Sequence, residues 1–144
     1  MRSIRLTGPV VFQSGNAEAF SAGLAERLKS MKVGDGYDPK SQCGPLINRK
    51  AVDRLTQLVT DATARGAKVL VGGGPIERQG YFFAPTVLTG VSPDSGISAE
   101  DIFGPIAALT TFETEDEVIE LAATAPSLSL TRLIINSALP QLVA

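Results

Sequence analysis

The chain has 144 residues, of which 13 are basic and 15 acidic, so its formal net charge is −2. This length fits about one domain, and a hydrophobic fraction of 44% is enough for a core, which disfavours low-complexity disorder. The sequence shows no basic cluster, no apolar stretch of membrane-spanning length and no secretory leader pattern, so we expect neither a nucleic-acid partner nor a membrane partner.

The first predicted elements are a strand and a helix. The apolar run 10–12 lies between Gly-Pro and Ser-Gly, which is typical of a buried strand. Asn16 can then cap an amphipathic helix over about 17–31. Its apolar stripe comprises Phe20, Leu24, Leu28 and Met31. We expect this stripe to be core.

A loop rich in Gly, Pro and Asp over 32–45 separates this helix from a second one. The second helix is predicted over about 49–65, with Asn48 as its N-cap and Gly66 just beyond its end. One apolar stripe supports it, formed by Val52, Leu55, Val59 and Ala62.

Three strands and a third helix follow. Strands are predicted over 67–71, from about residue 86 after Pro85, and over 106–112. Thr114 and Glu117 have the spacing of a capping box before a helix that stops near Pro126. The order of the elements predicts an α/β fold with at least partly parallel strands. The tail 127–144 has one charge and an apolar run, 133–135, for which a strand is plausible.

Five segments resemble segments of aldehyde dehydrogenases in residue identity, order and spacing. Residues 32–39 read K-V-G-D-G-Y-D-P, and 43–48 read C-G-P-L-I-N where the family has Q-G-P-L-I-N. Residues 66–73, 82–91 and 100–105 resemble G-A-x-V-L-x-G-G, F-F-x-P-T-V-L-x-x-V and E-E-I-F-G-P. The likeness covers about 10–123 and leans toward the succinate-semialdehyde branch. It implies a partial three-layer sheet with flanking helices from the catalytic domain over 1–126, with 127–144 as a divergent apolar tail.

The resemblance also implies a chemistry and two site residues. In this family a cysteine thiolate attacks an aldehyde, hydride passes to NAD or NADP, and a water releases the carboxylic acid. Asp101 aligns with the glutamate that binds the nicotinamide ribose, although it is one methylene shorter, and Phe103 aligns with the phenylalanine beside the nicotinamide. The register places Ile4 at the position of the catalytic cysteine, and isoleucine cannot attack a carbonyl.

We therefore expect a truncated segment that is inactive alone and carries no catalytic residue, because the family's nucleophile, general base and cofactor domain are missing from it. A non-enzymatic module that self-associates or docks on a relative is the alternative, since the tail and any uncovered faces would drive a homo-oligomer. A gene fragment without a role of its own is a third possibility. The single cysteine cannot form an internal disulfide, which fits a cytoplasmic location.

Other motifs have ordinary structural interpretations. Cys43 sits in a Gly/Pro loop, and the chain has no histidine to act as its base. The run 72–75 lacks the spacing of a phosphate-binding loop, and 34–38 lacks the glutamate of a calcium loop, so we expect no metal site. The acidic residues around 113–120 suit a helix start.

Overall fold

The computed structural model describes residues 10–124 and 133–134. These form one five-stranded sheet with helices on both faces. The strands are β1 Val10–Gln13, β2 Lys68–Val71, β3 Thr86–Thr89, β4 Ile106–Phe112 and β5 Leu133–Ile134. The helices are α1 Ala17–Lys29, α2 Arg49–Ala64, α3 Gly96–Ala99 and α4 Glu115–Thr124. Ile4 lies outside the described residues, and so does the tail 127–144 except for 133–134.

The sheet is mostly parallel. Its strand order is β2-β3-β4-β1-β5, and β4 runs parallel to both β3 and β1, while β1 also runs parallel to β5. β2 pairs antiparallel with β3 and forms one edge. The prediction of an α/β fold with partly parallel strands is confirmed, and so is a strand at 133–134.

Each face of the sheet is covered by a different helix. Along a strand, side chains alternate between faces, so neighbouring residues of β3 enter different core clusters. Val87 packs with Phe20 of α1, whereas Leu88 packs with Leu55 of α2. β4 alternates in the same way, with Ala107 and Leu109 toward α1 and Ile106 and Ala108 toward α2. The predicted three layers are therefore present.

Helix α1 buries most of its predicted stripe but ends earlier than predicted, so that Met31 lies beyond the helix and is half-buried. Phe20 and Leu28 are buried, and Leu24 packs against the same cluster. The Met31 N–H bonds to Leu28 O at 3.2 Å, so the last turn tightens and the helix stops at Lys29. Asn16 occupies the N-cap position without a side-chain capping hydrogen bond.

Helix α2 follows the sequence prediction closely. Asn48 Oδ1 accepts a hydrogen bond from the Ala51 N–H at 2.9 Å and caps the helix. All four residues of its predicted stripe are buried, together with Leu58. Gly66 follows the helix with a φ of 99°, a left-handed conformation that favours glycine. Within the described residues, no helix combines the length and apolarity needed to cross a membrane.

The second half contains one displaced cap and one unpredicted turn of helix. Glu117 N–H donates to Thr114 Oγ1 at 3.3 Å, but the Glu117 carboxylate accepts from the Glu113 N–H, one residue before the predicted partner. The four-residue α3 was not predicted, because a single turn carries no periodic signal. Its position matters because it leads directly into the loop 100–105.

Candidate cofactor site

Asp101 and Phe103 lie in the irregular loop that joins α3 to β4. Both are exposed, and Phe103 retains 71% of its accessible surface. The Thr86 N–H donates to Pro105 O at 2.8 Å, which ties the end of the loop to the start of β3. Since β3 and β4 are parallel, the loop lies at the amino-terminal end of both strands. The structure therefore presents the two predicted residues together at the amino-terminal end of two interior strands.

Ile102 anchors this loop to the core. It is 1% exposed and belongs to the cluster formed by α2, β3 and β4. Full burial of an isoleucine contributes about 1.5–3 kcal/mol, enough to hold the short segment in place. The sequence exposed–buried–exposed at 101–103 leaves the carboxylate and the phenyl ring free for a ligand while the residue between them is fixed.

Gly104 allows the loop to approach α2. A Cβ atom at this position would lie 2.5 Å from Leu55 Cδ1, closer than carbon atoms can pack. Leu55 itself is buried. A larger residue here would therefore require the buried Leu55 side chain or the loop to shift.

Two charged side chains of α2 hold the chain that leads into the loop. Asp61 Oδ2 accepts the Gly96 N–H at 2.9 Å, and Asp61 Oδ1 accepts from Arg65 Nε. These two hydrogen bonds, the one from Gly96 first, lower the pKa of the Asp61 carboxyl. Arg54 forms a two-pronged ion pair with Glu100, in which Nε donates to Oε2 at 3.2 Å and Nη2 donates to Oε1. Sequence reasoning missed both contacts, because they join residues far apart in the chain and no local spacing signals them.

The exposed side chains of this loop offer hydrogen-bond acceptors and an apolar ring face. Carboxylate oxygens such as those of Asp101 accept hydrogen bonds, and the hydroxyl groups of a sugar can donate them. The exposed ring of Phe103 offers an apolar surface to a planar ring. Within residues 10–124 and 133–134, no group of three or more His, Cys, Asp or Glu side chains could hold a metal ion.

Cys43 has the environment of a structural thiol. Its Sγ donates to Gly44 O at 3.7 Å, and its carbonyl accepts the Gly34 N–H at 2.9 Å within the loop 32–43. Partial burial raises the pKa of the thiol, which lowers the thiolate fraction at neutral pH. This disfavours a nucleophilic role.

The glycine-rich run 72–75 and the loop 34–38 form hydrogen bonds within the chain. The Gly73 N–H donates to Thr86 Oγ1 at 2.9 Å, so this amide is already used and does not face a phosphate. Asp35 Oδ1 accepts the Tyr37 N–H, and the carboxylate of Asp38 binds Lys32 at 2.8 Å. Both acidic residues therefore stabilise their own loop.

Comparisons with known proteins agree with the fold and with the motifs. Residues 7–129 match the sequence pattern of the family described as "Aldehyde dehydrogenase family". Succinate-semialdehyde dehydrogenase (NADP+) 2 of Schizosaccharomyces pombe is 43% identical over 106 residues, which are 73% of this chain and 22% of that protein.

Solved structures give the same result. Succinate-semialdehyde dehydrogenase from Burkholderia pseudomallei superposes with a TM-score of 0.77 at 38% identity, covering 81% of this chain and 24% of that one. The NAD+ complex of aldehyde dehydrogenase from Bacillus cereus gives a TM-score of 0.76 at 31% identity, covering 82% and 24%. The chain thus spans less than a quarter of the length of these relatives. From the family match and these superpositions, the chain belongs to the aldehyde dehydrogenase family.

Proposed function

We propose that this chain supplies one wall of the nicotinamide site of an NAD(P)-dependent aldehyde dehydrogenase. The observation that carries the proposal is the loop 100–105, in which Asp101 and Phe103 are exposed on either side of the buried Ile102. The reaction would be oxidation of an aldehyde to a carboxylic acid. Succinate semialdehyde is the proposed substrate, because the similar proteins from S. pombe and B. pseudomallei carry that name.

Each site residue has a defined role in this proposal. Asp101 would accept hydrogen bonds from the nicotinamide ribose, and Phe103 would pack beside the nicotinamide ring. The bound dinucleotide would supply the hydride acceptor. Because the aspartate is one methylene shorter than the glutamate that the family resemblance implies, we expect it to bind the ribose more weakly than glutamate would.

We further propose that the 144-residue chain alone does not turn over aldehyde. Its only cysteine, Cys43, is half-buried with a raised thiol pKa, and the sequence holds no histidine to serve as a base. The purified chain with succinate semialdehyde and NAD+ or NADP+ should show no increase in absorbance at 340 nm above the protein-free rate. Sustained turnover would refute this part of the proposal.

A chimaera tests the site itself. Residues of this chain would replace the matching 106-residue segment of the S. pombe enzyme, and the KM for NADP+ would be measured. We expect Asp101→Ala to raise that KM by about tenfold to a hundredfold, because a hydrogen bond to a charged group contributes roughly 1.5–3 kcal/mol. Asp101→Glu should lower the KM for NADP+ below that of the unmodified chimaera. Asp94→Ala removes another exposed carboxylate and is the control. Equal effects of the two alanine variants would refute the assignment of Asp101.

Self-association is the second candidate function, and the β2 edge favours it. Val69 and Leu70 of this edge strand are 40% and 44% exposed, and edge strands offer backbone groups for pairing with another chain. Sedimentation at micromolar concentration should then show a dimer or larger species that Leu70→Lys dissociates. A clean monomer would exclude this candidate.

A further inference from the structure

The chain segment from α3 through the candidate cofactor loop is attached to α2 at three points. The Gly96 N–H is bound by Asp61, Glu100 is paired with Arg54, and Gly104 lies against Leu55. The segment therefore runs along α2 from its last turns toward its first half. Two of these attachments flank the site, because Glu100 directly precedes Asp101 and Gly104 directly follows Phe103. The attachment at Glu100 is the one made by paired charges.

We propose that Arg54 is a positioning residue that fixes the orientation of Asp101 and Phe103 through Glu100. This inference rests on the proposed function of the loop as a wall of the nicotinamide site. Arg54 is assigned no contact with the cofactor. Its task is to hold the Glu100 backbone, which is extended with φ −116° and ψ 151°, so that the next residue leaves α2 in one direction.

The geometry of the pair supports this role. A guanidinium that donates from two nitrogens to both oxygens of a carboxylate fixes its orientation as well as its distance. Arg54 and Glu100 are 46 positions apart, so their pairing restrains tertiary structure. By contrast, Arg49 pairs with Asp53 only four residues away within α2.

The expected effect is moderate because both partners are about half exposed. Their side chains retain 49% and 45% of their accessible surface, so water and salt screen the attraction. Loss of such a pair corresponds to a change of about two- to fivefold in a local opening equilibrium. We therefore expect a loop that samples other orientations more often, without loss of the fold.

The full 144-residue chain allows a direct test. In Arg54→Ala, amide exchange at Glu100, whose N–H bonds to Gly96 O at 3.1 Å, should rise about two- to fivefold, and NMR order parameters at 101–103 should fall. Arg49→Ala removes a more exposed pair within the same helix, and it should change neither the exchange rate at Glu100 nor the order parameters at 101–103. The exchange rate of Arg54→Lys should lie between those of the parent chain and Arg54→Ala, since an ammonium group cannot donate to both carboxylate oxygens in the geometry of a guanidinium. Equal behaviour of the two alanine variants would overturn the inference.

The chimaera described above provides the functional readout. There, Arg54→Ala should raise the KM for NADP+ about two- to fivefold with little change in kcat, and Arg54→Glu combined with Glu100→Arg should restore it. A merely structural role would reduce the amount of active enzyme without changing KM, and an unchanged KM would overturn the inference. If Asp101→Ala has no effect in the chimaera, the proposed function fails, and that result does not depend on Arg54.

Discussion

Replacement of Gly104 by alanine tests whether the close approach of the loop to α2 determines the stability of this region. The new Cβ would lie 2.5 Å from Leu55 Cδ1 and 3.4 Å from Cδ2. Carbon atoms pack at about 3.5–4.0 Å, so the loop or Leu55 must move by roughly 1 Å. Leu55 is 4% exposed and clusters with Val52 and Ile102, which leaves it little room.

The magnitude follows from this overlap. Overpacking a core by one methyl group costs about 1–3 kcal/mol, and we expect Gly104→Ala to destabilise the chain within that range. Leu55→Ala alone should cost about 2–5 kcal/mol. It also removes the three Leu55 atoms nearest the new Cβ. In that background Gly104→Ala should cost little, which gives a favourable coupling of about 1–2 kcal/mol.

Urea unfolding followed by far-UV circular dichroism measures these values, because the chain has no tryptophan for fluorescence. Gly15→Ala is the matched control, since no atom lies within 4 Å of its Cβ position. Its free energy of unfolding should stay within about 0.5 kcal/mol of the parent value. Costs of Gly104→Ala and Leu55→Ala that simply add would refute the steric explanation, and so would a Gly104→Ala variant as stable as Gly15→Ala.

Three further predictions concern other parts of the structure. A Cβ at Gly34 would lie 2.3 Å from Ser41 Oγ, a buried atom without a hydrogen-bond partner among the described residues, so Gly34→Ala should lower the thermal midpoint and the added Ser41→Ala should restore most of it. Because the pKa of Asp61 is lowered, its stabilising effect is complete above the ordinary value of 3.8 and is lost as pH falls through the lowered pKa. In acid unfolding, the stability of Asp61→Asn should therefore fall less steeply below about pH 4 than that of the parent chain. An unchanged acid profile would contradict this. Because burial raises the thiol pKa of Cys43, iodoacetamide should label the native chain more slowly than the urea-unfolded chain at pH 8, and equal rates would exclude a protected thiol.

The long, periodic elements could be read from the sequence because their signals are local. Asn48 and Gly66 mark the two ends of α2, and the stripe between them is buried in the structure. The parallel strands appear as short apolar runs between glycine and proline residues. Asp101 and Phe103 were found through the family resemblance, and the structure shows that both are exposed. Their contact with a dinucleotide remains a prediction.

Contacts between distant segments gave no such signal. Arg54 pairs with Glu100, and Asp61 accepts the Gly96 N–H. In the sequence, nothing near these residues distinguishes them from ordinary exposed residues of a helix or a loop. The single turn α3 is too short for periodicity, and its position depends on these contacts.

The sequence by itself therefore determined the family, the α/β alternation and most of the helix ends, because side-chain periodicity and caps act over a few residues. Only the tertiary structure decided which helix covers which face of the sheet and how closely Gly104 approaches Leu55. It also showed how α2 holds the loop that carries Asp101 and Phe103. Those features depend on steric fit and charge pairing between segments that meet only after the chain has folded.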